Sequence, residues 1–195
     1  MNKEHIMTTA HMMAEAAREA VLPFFRVKDL VADNKDINQG FDPVTQGDRA
    51  SERAMRDVLR DMRPDDAILG EEFGSQSGQS GLTWVLDPID GTRAFLSGAP
   101  TWGVLIAVSN ADGPLYGLID QPYIRERFEG GFGRANMTGP HGTLTLKTRE
   151  NRPLTDAILF TTFPEVGSKI EQKAFAEVSN KVKLTRYGLD CYAYA

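Results

Sequence analysis

The sequence predicts an α+β protein in which helices lie on a sheet, followed by the opening of a second, alternating α/β unit. Three observations predict it. Apolar residues recur at helical spacing between Ile6 and Met62. From Ala67 onward, short apolar runs are separated by Gly, Pro, Asn and Ser. After Glu150, strand-like and helix-like runs alternate.

The first helix is set by Ile6, Ala10, Met13, Ala14, Ala17, Val21 and Phe24 at steps of three and four, and it stops between Pro23 and Arg26. A second helix begins around Asp48 as its cap, turns Ala54, Met55, Val58, Leu59 and Met62 inward, and ends at Pro64. Between them Asp33 to Gly47 is polar and contains Gly40 and Pro43, which makes it a loop or a hairpin. The runs "AILG", "LTWVLD", "TWGVLIAVS", "PLYGLID" and "TLTLK" read as a meander of strands with Trp84 and Trp102 in the core. Beyond "ENRPL" come a strand "AILFTTF", a helix "KIEQKAFAEVSNKV", a short strand "KLTRY" and a new helix near Gly188. Residues 1–150 are therefore expected to form an N-terminal α+β domain, and residues 151–195 to begin a C-terminal α/β domain. "GLDCYAYA" has no helix-ending signal and the alternating run has too few strands to close a sheet, so the chain is expected to be part of a longer protein with its second domain incomplete.

Composition narrows the partners. Of 195 residues, 41% are hydrophobic and 25% charged, as in a globular domain with a core of its own. The net charge of -5 arises from 27 acids and 22 bases dispersed along the chain, with no basic block for nucleic acid or a membrane surface. Cys191 is the only cysteine, which excludes a disulfide framework and fits a reducing compartment. Its expected role is a small buried side chain, since no base is placed to activate it. His5, His11 and His141 have no metal-binding spacing and read as surface residues. The N-terminus lacks the pattern of a signal peptide and no run is long enough to span a bilayer, so a cytoplasmic protein acting on small molecules is expected.

Three acidic motifs carry the chemistry: "DPVTQGD" (Asp42 to Asp48), "GEEFG" (Gly70 to Gly74) and "DPIDGT" (Asp87 to Thr92). Singly, the first reads as helix-cap chemistry and the second as a solvated turn. The third is sharper, because "LTWVL" delivers Asp87 at the end of a buried strand, where unpaired carboxylates are costly without a cation or hydrogen bonds. Pro88 stiffens the turn so that Asp90 can share a side with Asp87. Together the motifs offer Glu71, Asp87, Asp90 and the Ile89 carbonyl, all hard oxygen donors suited to magnesium. Gly91 and Thr92 begin a helix whose amides would face an anion. The chemistry implied is metal-assisted attack on a phosphate.

In order and approximate spacing, the three motifs resemble the inositol monophosphatase superfamily of magnesium-dependent, lithium-sensitive phosphatases. "DGTRAFLSGAPTWGVLIAV", "GLIDQPYIRERFEGG" and "TRYGLDCYAYA" are similar to its histidinol-phosphate phosphatase branch. The resemblance implies a layered αβαβα sandwich, a homodimer, and two or three magnesium ions serving hydrolysis of a small-molecule phosphate monoester. It implies that Glu71, Asp87 and Asp90 bind metal with the Ile89 carbonyl, Glu71 also serving catalysis. Asp42 and Thr92 would orient and deprotonate the attacking water, and the Gly91 and Thr92 amides would hold the phosphate. The metal ligand that such enzymes carry on a later Asp motif has no counterpart before Ala195.

Several alternatives stand beside this reading. An aspartate nucleophile of the Asp-x-Asp type does not fit, because Asp87 and Asp90 are three apart with Pro88 between them. A non-catalytic magnesium or phosphate binding fragment is the alternative of another class. Within the enzyme class, histidinol phosphate on the way to histidine is favoured over inositol 1-phosphate or a broad range of sugar phosphates. The ground is Asp190, a carboxylate beside the permissive Gly188 that would attract a cationic substrate. The alternative for Asp190 is a helix cap. Thr161 and Thr162 lie either beside the cleft or in an ordinary turn.

Overall fold

The computed structural model describes residues 2–28, 32–34 and 43–195. Helix α1 (Lys3–Val21) starts at Asn2, whose side chain accepts the His5 N–H at 3.2 Å. It buries Ile6, Met7, Ala10, Met13, Ala14, Ala17 and Val21, the expected stripe. A 3₁₀ turn over Leu22–Phe24, with Pro23 inside it, ends the helix. Strands β1 (Ala32–Asn34) and β2 (Pro43–Thr45) pair antiparallel, which decides for the hairpin over the loop.

Helix α2 (Gln46–Met62) is capped by Thr45 rather than by Asp48. The Thr45 hydroxyl accepts the N–H groups of Gly47 (3.0 Å) and Asp48 (3.4 Å), and Asp48 reaches back to the Thr45 N–H at 2.8 Å. Asp48 thus completes a reciprocal cap from inside the first turn. Met55 and Leu59 are buried as expected, whereas Ala54, Val58 and Met62 lie half-buried at the margin. The N-terminal half of the inward face is polar, burying Asp48, Ser51 and Glu52.

An eight-stranded sheet follows, built from β3 (Ala67–Gly70), β4 (Gly74–Gln76), β5 (Thr83–Asp90), β6 (Gly103–Asn110), β7 (Gly113–Gln121), β8 (Glu126–Gly131), β9 (Arg134–Gly139) and β10 (Gly142–Thr145). Its order is β10-β9-β8-β7-β6-β5-β3-β4. Only the β3 to β5 pairing is parallel. Short helix α3 (Thr92–Ser97) leaves the end of β5. The expected meander lacked β4, which is short and exposed, and β8 and β9, whose residues are mostly half-buried without the alternation that marks a strand.

Helices α1 and α2 cover one sheet face. Ile6, Met13, Met55 and Leu59 pack with Trp84, Leu86, Val104, Ile106 and Leu118 in one continuous core. Val21, Phe25, Ile89, Phe95 and Trp102 form a second cluster that anchors α3 to the end of β5. Both tryptophans are buried, as read from the sequence. His11 keeps a partly exposed side chain at the surface, pairing with Glu129 at 2.9 Å while its other ring nitrogen meets Arg127 at 3.0 Å. The opposite sheet face opens on a cleft of about 670 Å³ lined by Val85, Leu105, Ile119, Phe128 and Tyr194.

The last segment is a β-α-β unit: β11 (Ile158–Thr161), α4 (Lys169–Ser179) and β12 (Leu184–Tyr187), with the two strands parallel. The α+β class therefore holds, with helices layered on a large sheet and a second, two-stranded sheet after it. The α-helix expected near Gly188 is instead a 3₁₀ turn over Asp190–Ala193. Gly188 and Asp190 have φ of 66° and 44°, which a right-handed α-helix cannot include. Among the described residues no helix is long and apolar enough to cross a membrane.

Asp66 joins the sheet to α2: its carboxylate accepts from Trp84 Nε1 at 2.8 Å and from Arg63 at 2.7 and 3.0 Å. Burial alone would raise its pKa, but the hydrogen bonds from Arg63, Ser80 and Trp84 with the Arg63 charge hold it below the usual carboxylate range. Asp66→Ala is expected to cost about 2 kcal/mol at neutral pH in urea unfolding, since it orphans a buried indole N–H and a guanidinium. A lowered carboxyl pKa stabilises above the unfolded value and is lost as pH falls through the folded one. The deficit of the variant should therefore shrink below about pH 4.

Candidate active site

The site is built where β5 ends. Its pairing with β6 shifts register between Asp87 and Asp90, so the "DPID" turn bulges out of the ladder. On the other side β3 runs parallel to β5, and the Glu71 N–H donates to the Leu86 carbonyl at 3.2 Å. Glu71 is thereby set beside Asp87. Two motifs separated by a hairpin in the sequence become neighbours through one parallel pairing.

The acids lie in one another's field. Asp87 Oδ1 and Asp90 Oδ2 are buried and have no hydrogen-bond partner. Burial, the Glu71 charge, a hydrogen bond shared with Glu71 and the Asp90 charge push the Asp87 carboxyl up to about 8. Burial raises Asp90 too, with the Asp190 and Glu71 charges adding to it against hydrogen bonds from Cys191. Asp87 and Asp90 are half-buried with Glu71 exposed beside them, and hard oxygen donors in this number suit a divalent cation. Among the described residues no three His, Cys, Asp or Glu side chains close into a ready-made cage. Magnesium asks for none, because it keeps waters and shares phosphate oxygens beside one or two carboxylates.

Helix α3 carries the other half. Gly91 precedes it at φ 85°, and the Thr92 hydroxyl donates to the Ile89 carbonyl at 3.1 Å, leaving that oxygen a second lone pair. A Cβ on Gly91 would lie 2.8 Å from Cβ and Cγ of Asp190, so glycine is required on both counts. Asp190 lies against the turn and accepts from the Thr101 hydroxyl at 3.1 Å. It is the first residue of the 3₁₀ turn, whose N-cap position is Leu189. Burial raises its pKa although the Thr101 hydrogen bond opposes this. Gly188 donates its N–H to the Thr162 carbonyl at 2.9 Å, and Arg93 lies 5.9 Å from the Phe163 ring centroid, so the end of β11 adjoins α3 and the Gly188 turn.

Cys191 is fully buried, and burial with the nearby Asp90, Asp190 and Asp87 charges pushes its thiol up to about 12. A Cβ on Gly103 would come within 2.7 Å of its sulfur. Asp42 lies outside the described residues. Its motif reaches the site through its other end. Gly47 is in close contact with Ile89, where a Cβ would lie 3.4 Å from its side chain, and the Ser51 hydroxyl donates to the Pro88 carbonyl at 3.3 Å.

Sequence reasoning missed the residues that hold the site. Glu52, with no exposed surface, accepts the backbone N–H of Glu72 at 2.6 Å and of Phe73 at 3.2 Å, and is itself held by Arg56 Nε at 2.8 Å. It fixes the turn that presents Glu71. Gly70 completes the clamp, since a Cβ there would fall 2.0 Å from Glu52 Oε1. Ser51 and Thr101 carry no expected role in the sequence, and Asp48 only that of a helix cap. The signal was the helical stripe Asp48, Ser51, Glu52, Met55 and Leu59, polar at one end and apolar at the other.

A sequence profile of the inositol monophosphatase family matches residues 2–195. The chain belongs to the inositol monophosphatase family. The chloroplastic bifunctional phosphatase IMPL2 of Arabidopsis thaliana is 38% identical over 194 residues, 98% of this chain and 54% of that protein. A histidinol-phosphatase of Mycobacterium tuberculosis is 37% identical over 131 residues, 67% of this chain and 49% of its own length. A crystal structure of an inositol monophosphatase from Zymomonas mobilis, described for a flexible region at its active site, shares 36% identity with a TM-score of 0.83, covering all of this chain and 72% of that one. The chain spans about half the length of the curated relatives it matches. This member of the family thus has the fold that its motifs implied.

The raised acids have a thermodynamic signature. A folded carboxyl that keeps its proton above the unfolded pKa makes folding less favourable as pH rises through that interval. Without divalent ions, the melting temperature should therefore fall as pH rises from about 4 to about 8. Asp87→Asn should flatten this slope in differential scanning calorimetry, and added magnesium should flatten it in the unmodified protein.

Proposed function

We propose that the protein is a magnesium-dependent phosphomonoesterase that hydrolyses a small phosphate monoester by a directly attacking water, with histidinol phosphate as the favoured substrate and histidinol as the product. One observation carries this reading: Glu71, Asp87 and Asp90 converge at the end of β5 with Asp87 Oδ1 and Asp90 Oδ2 buried and unpaired. Membership of the family and the names of the relatives from Arabidopsis thaliana and Mycobacterium tuberculosis support it.

In this reading Glu71, Asp87, Asp90 and the Ile89 carbonyl hold two or three magnesium ions. Magnesium there supplies an activated water and charge neutralisation at the phosphate. The Gly91 and Thr92 amides face the phosphate oxygens, at the end of α3 where backbone donors are unpaired. Asp42 with the Thr92 hydroxyl orients the water and takes up its proton.

Substrate choice rests on Asp190. It is a half-buried acid that accepts from the Thr101 hydroxyl and lies against Gly91, within reach of whatever the Gly91 amide binds. The amine or imidazole of histidinol phosphate, paired there, would contribute on the order of 1.5 to 3 kcal/mol. Inositol 1-phosphate is the second reading, favoured by the resemblance to the Zymomonas mobilis structure. By the same reading the chain divides near residue 150, between β10 and β11, and works as a cytoplasmic homodimer.

Phosphate release from histidinol phosphate and inositol 1-phosphate, side by side with magnesium or a chelator, tests the activity. Release in neither case would leave a binding fragment as the better reading. Asp90→Asn should lower turnover by at least about a hundredfold at saturating magnesium, as when a metal site loses a support. Asp190→Ala should lower kcat/KM about tenfold for each 1.4 kcal/mol lost, on histidinol phosphate alone. Equal losses on both substrates would remove the ground for preferring it.

A further inference from the structure

A second cleft, of about 340 Å³, lies along α2, where Arg53, Arg56, Arg60 and Arg63 line it together with Asp57 and Asp66. The four arginines are spaced three, four and three apart, which puts them on one face of the helix along roughly 15 Å of its axis. Like charges in such a row repel one another unless anions intervene. Arg63 is satisfied by Asp66, and Arg56 by Glu52 and the Gly74 carbonyl. Arg60 meets Asp57 at 2.8 Å, but both side chains are more than half exposed, and such a pair is worth little. Arg53 has no carboxylate partner among the described residues, and its guanidinium lies 5.5 Å from the Phe73 ring centroid.

We propose that this cleft is an anion site for a small oligophosphate, held by Arg53 and Arg60 beside Arg56, and that its occupancy is felt at Glu71. The length of the row exceeds one phosphate and suits two linked ones, and guanidinium forks match phosphate oxygens in pairs. The connection is short. Arg56 holds Glu52, and Glu52 holds the Glu72 and Phe73 amides immediately after Glu71. An anion that draws on Arg56 therefore acts on the same carboxylate that fixes the Glu71 turn.

Pyrophosphate titrated into the 195-residue chain, at low ionic strength with a chelator present, tests this apart from any catalytic reading. Calorimetry should show one saturable site. Arg53→Ala with Arg60→Ala should weaken it at least about tenfold, the loss of roughly one charge-assisted contact, while Asp90→Asn leaves it unchanged. Both arginines are exposed, so the double variant should keep its melting temperature, and Lys at both positions should restore part of the affinity. Amide resonances of Glu71, Glu72 and Phe73 should shift on binding in the unmodified chain. No saturable binding, or equal affinity in the double alanine variant, would overturn the site. Binding that leaves those three resonances unmoved would overturn the connection to Glu71.

Discussion

Two half-buried carboxyl groups at the end of β5, Asp87 and Asp90, with Glu71 beside them, are the constraint on which the rest of the structure depends. Carboxyl groups from β5 and from the turn after β3 are brought within each other's field, where their mutual repulsion opposes the charged forms. The scaffold holds them there by separate means. Parallel pairing sets Glu71 beside Asp87, the bulge turns Asp90, and Ser51 and Glu52 brace both turns from α2. Each brace is a strand pairing, a hydrogen bond or a close approach at glycine. Preorganisation of this kind lets a site bind metal without spending affinity on rearranging itself.

Helix α2 serves two opposed surfaces. Its inward polar end stabilises the acid turn, its inward apolar end completes the core, and its outer face carries the arginine row. Arg56 belongs to both sides, reaching from the outer row to the buried Glu52. The density of charged residues that makes α2 look like a surface helix is therefore a consequence of what it supports.

Much of this was legible in the sequence, for identifiable reasons. Periodicity located α1 and the apolar half of α2 because burial there is apolar. The three acidic motifs could be read because unpaired acids at a strand end demand an explanation. Glu52 could not, since a charged residue in a charged helix reads as solvated until its partners are seen across the chain. Thr45 displaced Asp48 as the cap because two polar residues three apart can exchange roles in a reciprocal cap. The turn at Asp190 was misread as a helix because its positive φ leaves no compositional trace in a residue other than glycine. The partners of His11, Glu129 and Arg127, could not be read because they come from a strand that lacks alternation.

The burial of Cys191 makes the protein's only thiol a silent reporter. With its sulfur seated against Gly103 and its proton held tightly, it should ignore alkylating reagents as long as the 3₁₀ turn stays on the sheet. Any labelling of that sulfur records a moment when the turn has lifted and Asp190 has left Gly91. The rate of thiol modification is thus a clock for how often this wall of the acid cleft stands open, readable without substrate, metal or an introduced probe.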